Sequence, residues 1–239
     1  MKRAIILLLS LFVISDVAAQ TEGFTFGSVR IGQTKAQGEY AENVFDQTTE
    51  NAGFAESGFH LNIEGGRFFN NNMGLVASLS LSFNGLDDGA LVAEALEALP
   101  ALTSLAVDAS NYTNVAVLIG PIARLPISSR ISLLGFAKIG VMTSTRPSSE
   151  ISWQRNDGIP LSAEFEGTWG TAFAFSVGAA LKTWIFGSIE IGPQVEYVSG
   201  KPTYGFYDYD PFFGWTYTEG KAQVVDLLNF GFGITYNMR

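Results

Sequence analysis

The 239-residue chain has no cysteine, a single histidine and few charges. Without Cys there is no disulfide scaffold, no Cys-based zinc site, no thiol nucleophile and no lipid-anchored N-terminal Cys. One histidine, His60, cannot build a His-rich metal site, and no metal or cofactor is expected. Lys and Arg total 14 against 23 Asp and Glu, a net charge of −9. That is the wrong sign for a nucleic-acid partner. Charged residues make up 15% of the chain, where an ordinary soluble domain carries about 25%. Hydrophobic residues reach 47%. They are spread out, so neither a disordered chain nor a helical membrane protein fits.

The first nineteen residues read as an address. Lys2 and Arg3 precede an apolar run from Ala4 to Ile14, and Val17-Ala18-Ala19 supplies the small residues a signal peptidase reads. The run is too short to span a bilayer as a helix. Residues 1–19 are therefore expected to be a cleaved signal peptide and 20–239 a single exported domain. Cleavage leaves 12 positive and 22 negative side chains, near −10.

Past residue 20, short segments of period-two alternation recur between clusters of Gly, Asn, Pro and Ser. Leu75, Ala77, Leu79, Leu81 and Phe83 alternate with Val76, Ser78, Ser80, Ser82 and Asn84. Similar patterns fill 171–182, 188–197 and 228–237. Residues 23–33, 57–68, 114–125 and 130–143 carry weaker versions. Eight strands result, each near the roughly 9 to 11 residues that cross a bilayer when tilted.

The face opposite each apolar row is Ser, Gly, Ala, Asn, Gln and scattered charge. A soluble sandwich keeps large side chains inside. A membrane barrel turns them toward lipid and fills its lumen with small or polar ones. Connection lengths alternate as well. Long connections are expected near 34–56, 85–113, 144–168 and 199–222, and short ones at Phe69–Met73, Pro126–Ser129 and Thr183–Ile185. Outer-membrane barrels have this asymmetry of short periplasmic turns and longer outer loops. The expected fold is an all-β, eight-stranded, antiparallel, up-and-down transmembrane barrel with both termini on the periplasmic side.

Three segments sharpen this: Ile119-Gly120-Pro121-Ile122-Ala123-Arg124, Ile191-Gly192-Pro193-Gln194-Val195-Glu196-Tyr197, and the closing Leu228-Asn229-Phe230-Gly231-Phe232-Gly233-Ile234-Thr235-Tyr236. With them the chain resembles the small eight-stranded outer-membrane β-barrel family of Gram-negative bacteria, in the Bacteroidetes-type branch described as porin-like. The resemblance implies location in the cell outer membrane, contact with its lipid and lipopolysaccharide, and folding through the barrel-assembly machinery. One departure stands out. Members commonly end on an aromatic residue that this machinery reads, whereas this chain ends Tyr236-Asn237-Met238-Arg239.

Candidate lumen residues follow from strand parity: Arg30, His60, Glu64, Arg124, Lys138, Lys182, Glu190 and Glu196. They would form either a gate of exchangeable ion pairs or a structural network, since an unpaired buried charge is costly. His60 lacks the Gly-x-Ser-x-Gly elbow of a hydrolase anywhere in the chain, and no catalytic residue is assigned. Glu164 with Glu166 and Asp208 with Asp210 are carboxylate pairs spaced for glycoside hydrolysis or a divalent cation, or simply for a solvated acidic loop.

The last long loop holds Tyr204, Phe206, Tyr207, Tyr209, Phe212, Phe213, Trp215 and Tyr217, eight aromatics in fourteen residues. Part belongs to an interfacial aromatic girdle. The surplus makes Tyr204, Tyr207, Tyr209 and Trp215, with Asp208 and Asp210, a candidate binding surface. Residues 87–106 read as a loop helix capped by Asp87 or Asp88, its apolar stripe of Val92, Leu96 and Leu99 suited to a lid or to packing on neighbours, with Pro100 ending it. The four long loops carry 17 carboxylates against five Lys or Arg. The expected function is a non-enzymatic structural or surface-interaction component. Alternatives are a narrow conduit for small solutes and a barrel enzyme acting on lipid or polysaccharide. N-terminal sequencing of the exported protein should find Gln20 as its first residue; an intact Met1 in the membrane fraction would refute the signal assignment.

Overall fold

A computed structural model describes residues 23–43, 52–98, 102–155, 160–210 and 214–238. In chain order the elements are β1 (Phe24–Gln37), β2 (Ala55–Phe68), β3 (Met73–Leu86), helix α1 (Asp88–Ala98), β4 (Leu102–Ala109), β5 (Tyr112–Pro126) and β6 (Ile131–Arg146). There follow β7 (Ser149–Arg155), β8 (Pro160–Phe165), β9 (Thr168–Phe186), β10 (Ile189–Gly200), β11 (Thr203–Asp210), β12 (Gly214–Ala222) and β13 (Val225–Met238). Among the described residues no helix is long and apolar enough to cross a membrane.

The eight long strands pair in the order β1-β2-β3-β5-β6-β9-β10-β13, and β13 returns to β1. The closing ladder runs from Thr25↔Met238 to Gln37↔Asp226. All eight contacts are antiparallel. The sheet is thus a closed barrel with no free edge, which is how a spanning β-structure satisfies its backbone in hydrocarbon. The wall is a transmembrane β-barrel by its outer surface. Val29, Ile31, Ile63, Val117, Ile139, Phe173, Phe232 and Ile234 all point outward and are exposed. Their strand neighbours point inward and are small or polar, among them Ser28, Asn62, Ser78, Ser176 and Thr235.

Gly-Pro pairs interrupt two ladders. Pairing of β5 with β6 skips from Ile119↔Ile139 to Ile122↔Phe136, and β10 with β9 from Ile191↔Thr183 to Gln194↔Ala180. Pro121 and Pro193 sit in these gaps because proline has no N–H to give. On their other sides both strands pair without a break, to β3 and β13.

Two expectations need correction. The third short turn lies at Gly187-Ser188, not Thr183–Ile185: β9 continues to Phe186, and Gly187 takes φ +53, a left-handed value glycine adopts without strain. The loop helix covers only Asp88–Ala98, and residues 102–106 belong to β4. Asp87 is its N-cap, its carboxylate accepting from the Ala90 N–H at 2.9 Å. Leu99 and Pro100 lie outside the described residues. The helix packs on β4. The long loops also hold sheet of their own: β4, β7 and β8 form a separate three-stranded sheet, and β11–β12 a hairpin.

The outward row makes a direct prediction. Ile139→Arg places a charge on the hydrocarbon-facing wall at mid-strand and should destabilise the barrel by about 2–4 kcal/mol. Denaturant titration in lipid vesicles measures this; an unchanged midpoint would mean that this face does not meet lipid.

Candidate functional site

Inward alternation brings side chains from all eight wall strands into one narrow space. An eight-strand barrel has an interior just wide enough for side chains to fill it. Its loop end is closed by an apolar cluster that includes Tyr40, Tyr112, Leu118, Met142 and Leu227. Its turn end is closed by Phe26, Phe68, Ile122, Leu134 and Phe136. Charge lies between and just below these two plugs.

At mid-barrel four charged groups form a closed ring. Arg30 reaches Glu64 at 2.8 Å and Glu196 at 3.3 Å. Lys138 reaches the same two carboxylates at 3.1 and 2.7 Å. The strand order explains the geometry. β1 and β6 stand opposite each other around the barrel, so Arg30 and Lys138 face across the lumen. Glu64 on β2 and Glu196 on β10 bridge them from either side. Lys138 also donates to Ser78 Oγ at 3.0 Å and lies 4.6 Å from the Phe136 ring centroid. Each charge thereby has two opposite partners, the condition under which burial becomes tolerable.

A second group sits toward the turns. Arg124 pairs with Glu190 and donates from Nε to Ser132 Oγ at 3.1 Å. Its guanidinium lies between the rings of Phe24 and Trp184, at 5.7 and 6.0 Å, within cation–π reach. Lys182, also buried, has no hydrogen-bond partner for Nζ among the described residues. A free space toward the turn end, lined by Glu64 of the ring and by Arg124, Glu190 and Lys182, leaves about 10 Å³ for the centre of a water-sized sphere.

His60 lies opposite Ser82 in the β2–β3 ladder, and its Nδ1 is 3.0 Å from the Ser82 hydroxyl. In appearance these are two of the three members of a hydrolase triad. The two residues are 0% and 1% exposed and Nε2 has no partner among the described residues, so no substrate reaches a nucleophile there.

The loop-end residues distribute differently from the sequence expectation. Tyr204 is corrected: it is not at the surface but 2% exposed, its hydroxyl donating to Ser144 Oγ at 2.8 Å. As the second residue of β11 it still follows the barrel wall, pairing with Gly170 of β9, and so turns into the mouth. Tyr207, Tyr209 and Trp215 lie in the β11–β12 hairpin, with Tyr207 opposite Tyr217 and Tyr209 opposite Trp215. Asp208 and Asp210 fall opposite Thr216 and Gly214. Glu164 and Glu166 are exposed at the end of β8.

Sequence reasoning missed the mouth itself. Tyr40, in a short 3-10 turn after β1, packs edge-on against Tyr112 at 5.1 Å and accepts from Asn114 at 3.0 Å. Burial pushes its phenol well above the ordinary value, so it stays neutral. Tyr112 donates to the Gly53 carbonyl at 2.6 Å, tying the first loop to the barrel. Tyr112 was reachable from strand parity, two residues before Asn114. Tyr40 lies outside any alternating segment and carried no such signal.

No family model and no curated protein matches this chain. Among solved structures it is similar to Ail, the attachment invasion locus protein of Yersinia pestis, at 17% identity, covering 91% of this chain and 100% of that one, TM-score 0.46. A major outer membrane protein of Thermus thermophilus gives 10% identity, 90% and 99% coverage and TM-score 0.49. The outer membrane protein OprG of Pseudomonas aeruginosa gives 11%, 91% and 98%, and 0.44. At such identities and scores the closed strand registers, not these likenesses, carry the argument for the barrel.

The ring predicts an asymmetry between single and paired substitutions. Glu196→Gln leaves Arg30 and Lys138 short of one carboxylate and should cost about 3–5 kcal/mol in vesicle unfolding experiments. Adding Lys138→Met to it should recover much of that loss. Equal and additive losses would show that the two groups are not coupled.

Proposed function

We propose that the protein is an outer-membrane component of a Gram-negative envelope whose barrel is a closed anchor and whose acidic outer loops do the work. One observation carries this reading: the interior is filled from end to end. Two apolar plugs bracket a ring of paired charges, and the cavity at the turn end admits about one water molecule. A solute path would require separating at least two of the four ion pairs in the ring while the aromatic plug at the turn end also moved. The conduit reading therefore has the geometry against it. The His60 route to an enzymatic reading has the geometry against it, because His60 and Ser82 are buried inside the barrel.

Function then falls to the four loops, which are long and carry a large excess of carboxylates, and of which the last three hold folded sheet. Such a negative field suits divalent cations bridging to lipopolysaccharide or a cationic partner, and repels anionic ones. The Tyr207–Tyr217 and Tyr209–Trp215 pairings concentrate aromatic residues in one hairpin, a composition suited to a contact surface. Periplasmic turns of two to four residues offer nothing comparable.

Planar-bilayer recording on the purified, folded protein tests the proposal. We expect no stable open channel at physiological pH and salt. Long-lived conductance steps reproduced by independent preparations would overturn the closed-anchor reading in favour of a conduit.

A further inference from the structure

The buried charges do not balance. Among the described residues, four cations and three carboxylates are buried: Arg30, Arg124, Lys138 and Lys182 against Glu64, Glu190 and Glu196. Two cations and two carboxylates are used up in the ring, and Arg124 takes Glu190. Lys182 is left over. It is 3% exposed, and its Nζ has no hydrogen-bond partner among the described residues.

Two further unpaired donors border the same space. The Gln194 Nε2 and Asn237 Nδ2 groups are buried and partnerless among the described residues, and with Lys182 they line one cavity. The topology brings them there. Gln194 on β10 pairs with Ala180, two residues from Lys182 on β9. The backbone N–H of Asn237 on β13 donates to Ser188 at 2.8 Å, which brings the end of β13 to the β9–β10 turn. All three orphan atoms are donors, in a space with room for the centre of one water-sized particle. Arg124, Glu64 and Glu190 also line it, each of them already engaged in an ion pair, so the one positive charge in excess among the buried groups is that of Lys182. Unpaired donors converging on a buried ammonium are a match for an acceptor that carries negative charge.

We propose that Lys182, Gln194 and Asn237 hold a single small inorganic anion, of the size class of chloride, inside the barrel near its turn end. The anion completes the neutralisation that the three buried carboxylates leave unfinished. Phosphate, sulfate and organic carboxylates are too large for the space. The site is independent of the role assigned to the loops.

Two measurements on the full mature chain, folded in detergent, test this. In the first, chloride replaces gluconate at constant ionic strength while thermal unfolding is followed. The midpoint should rise steadily with the logarithm of chloride concentration for the wild type, as expected for a ligand bound only by the folded state. Lys182→Met, which keeps the length of the side chain and removes its charge, should lose that slope. In the second, wild-type crystals grown in bromide are measured at the bromine edge, a readout that does not depend on any variant folding. An anomalous peak within hydrogen-bond reach of Lys182 Nζ supports the site. A midpoint indifferent to chloride in the wild type, or bromide peaks on the protein surface and none at Lys182, would overturn it and assign the cavity to water.

Discussion

The ladder between the first strand and the last is the contact on which everything else rests. β1 meets β13 along nearly its whole length, from Thr25↔Met238 to Gln37↔Asp226. Until that ladder forms, the sheet has two edges of unpaired amides and carbonyls, which hydrocarbon cannot solvate. Closure removes them and, in the same act, divides each strand into a lipid row and a lumen row. With only eight strands the lumen row must be nearly self-filling. The abundance of Ser, Gly, Ala and Asn on that row follows from space as much as from polarity.

Placing charge in so narrow an interior imposes its own rule. An isolated buried ion costs several kcal/mol, so each must find a counter-charge within reach. Arg30 and Lys138 do so by sharing Glu64 and Glu196, and each carboxylate in turn bridges both cations. The ring ties β1, β2, β6 and β10 together across the barrel, a direction in which the backbone ladders provide no connection. Tyr40, Tyr112 and Tyr204 act similarly at the mouth, where hydroxyl bonds to Asn114, Gly53 and Ser144 anchor loop segments onto the wall. A rigid, filled barrel of this kind leaves the outer loops as the part of the protein able to vary and to meet other molecules.

Prolines show how local sequence and closed topology negotiate. Gly120-Pro121 and Gly192-Pro193 each interrupt one ladder and leave the other intact. In an open sheet proline belongs at an edge. A barrel has no edge, so the missing donor becomes a gap in the wall between β5 and β6 and another between β9 and β10. The β6–β9 ladder between these gaps is continuous from Ile131↔Thr183 to Arg146↔Thr168.

Strand alternation is a local property, and it is what the sequence by itself determined. Val29 and Arg30 must face opposite ways in any extended chain. The eight strands, their outward rows and the inward parity of Arg30, Glu64, Lys138 and Glu196 were therefore legible without coordinates. The helix end was not, because β4 is held by pairing with β7 on the next long loop rather than by local propensity. The third turn was not, because the hairpin pairing of Phe186 with Ile189 extends β9 past the residues where its alternation fades. Which charge meets which was decided only by tertiary structure. Lys138 and Glu64 are 74 residues apart, and Arg30 and Glu196 are 166 apart. Their meeting depends on the stagger of every ladder between them and on the point at which the barrel closes. Tyr40 and Tyr204 entered the mouth for the same reason: the wall beneath them, not their own neighbours in sequence, set the direction in which they point.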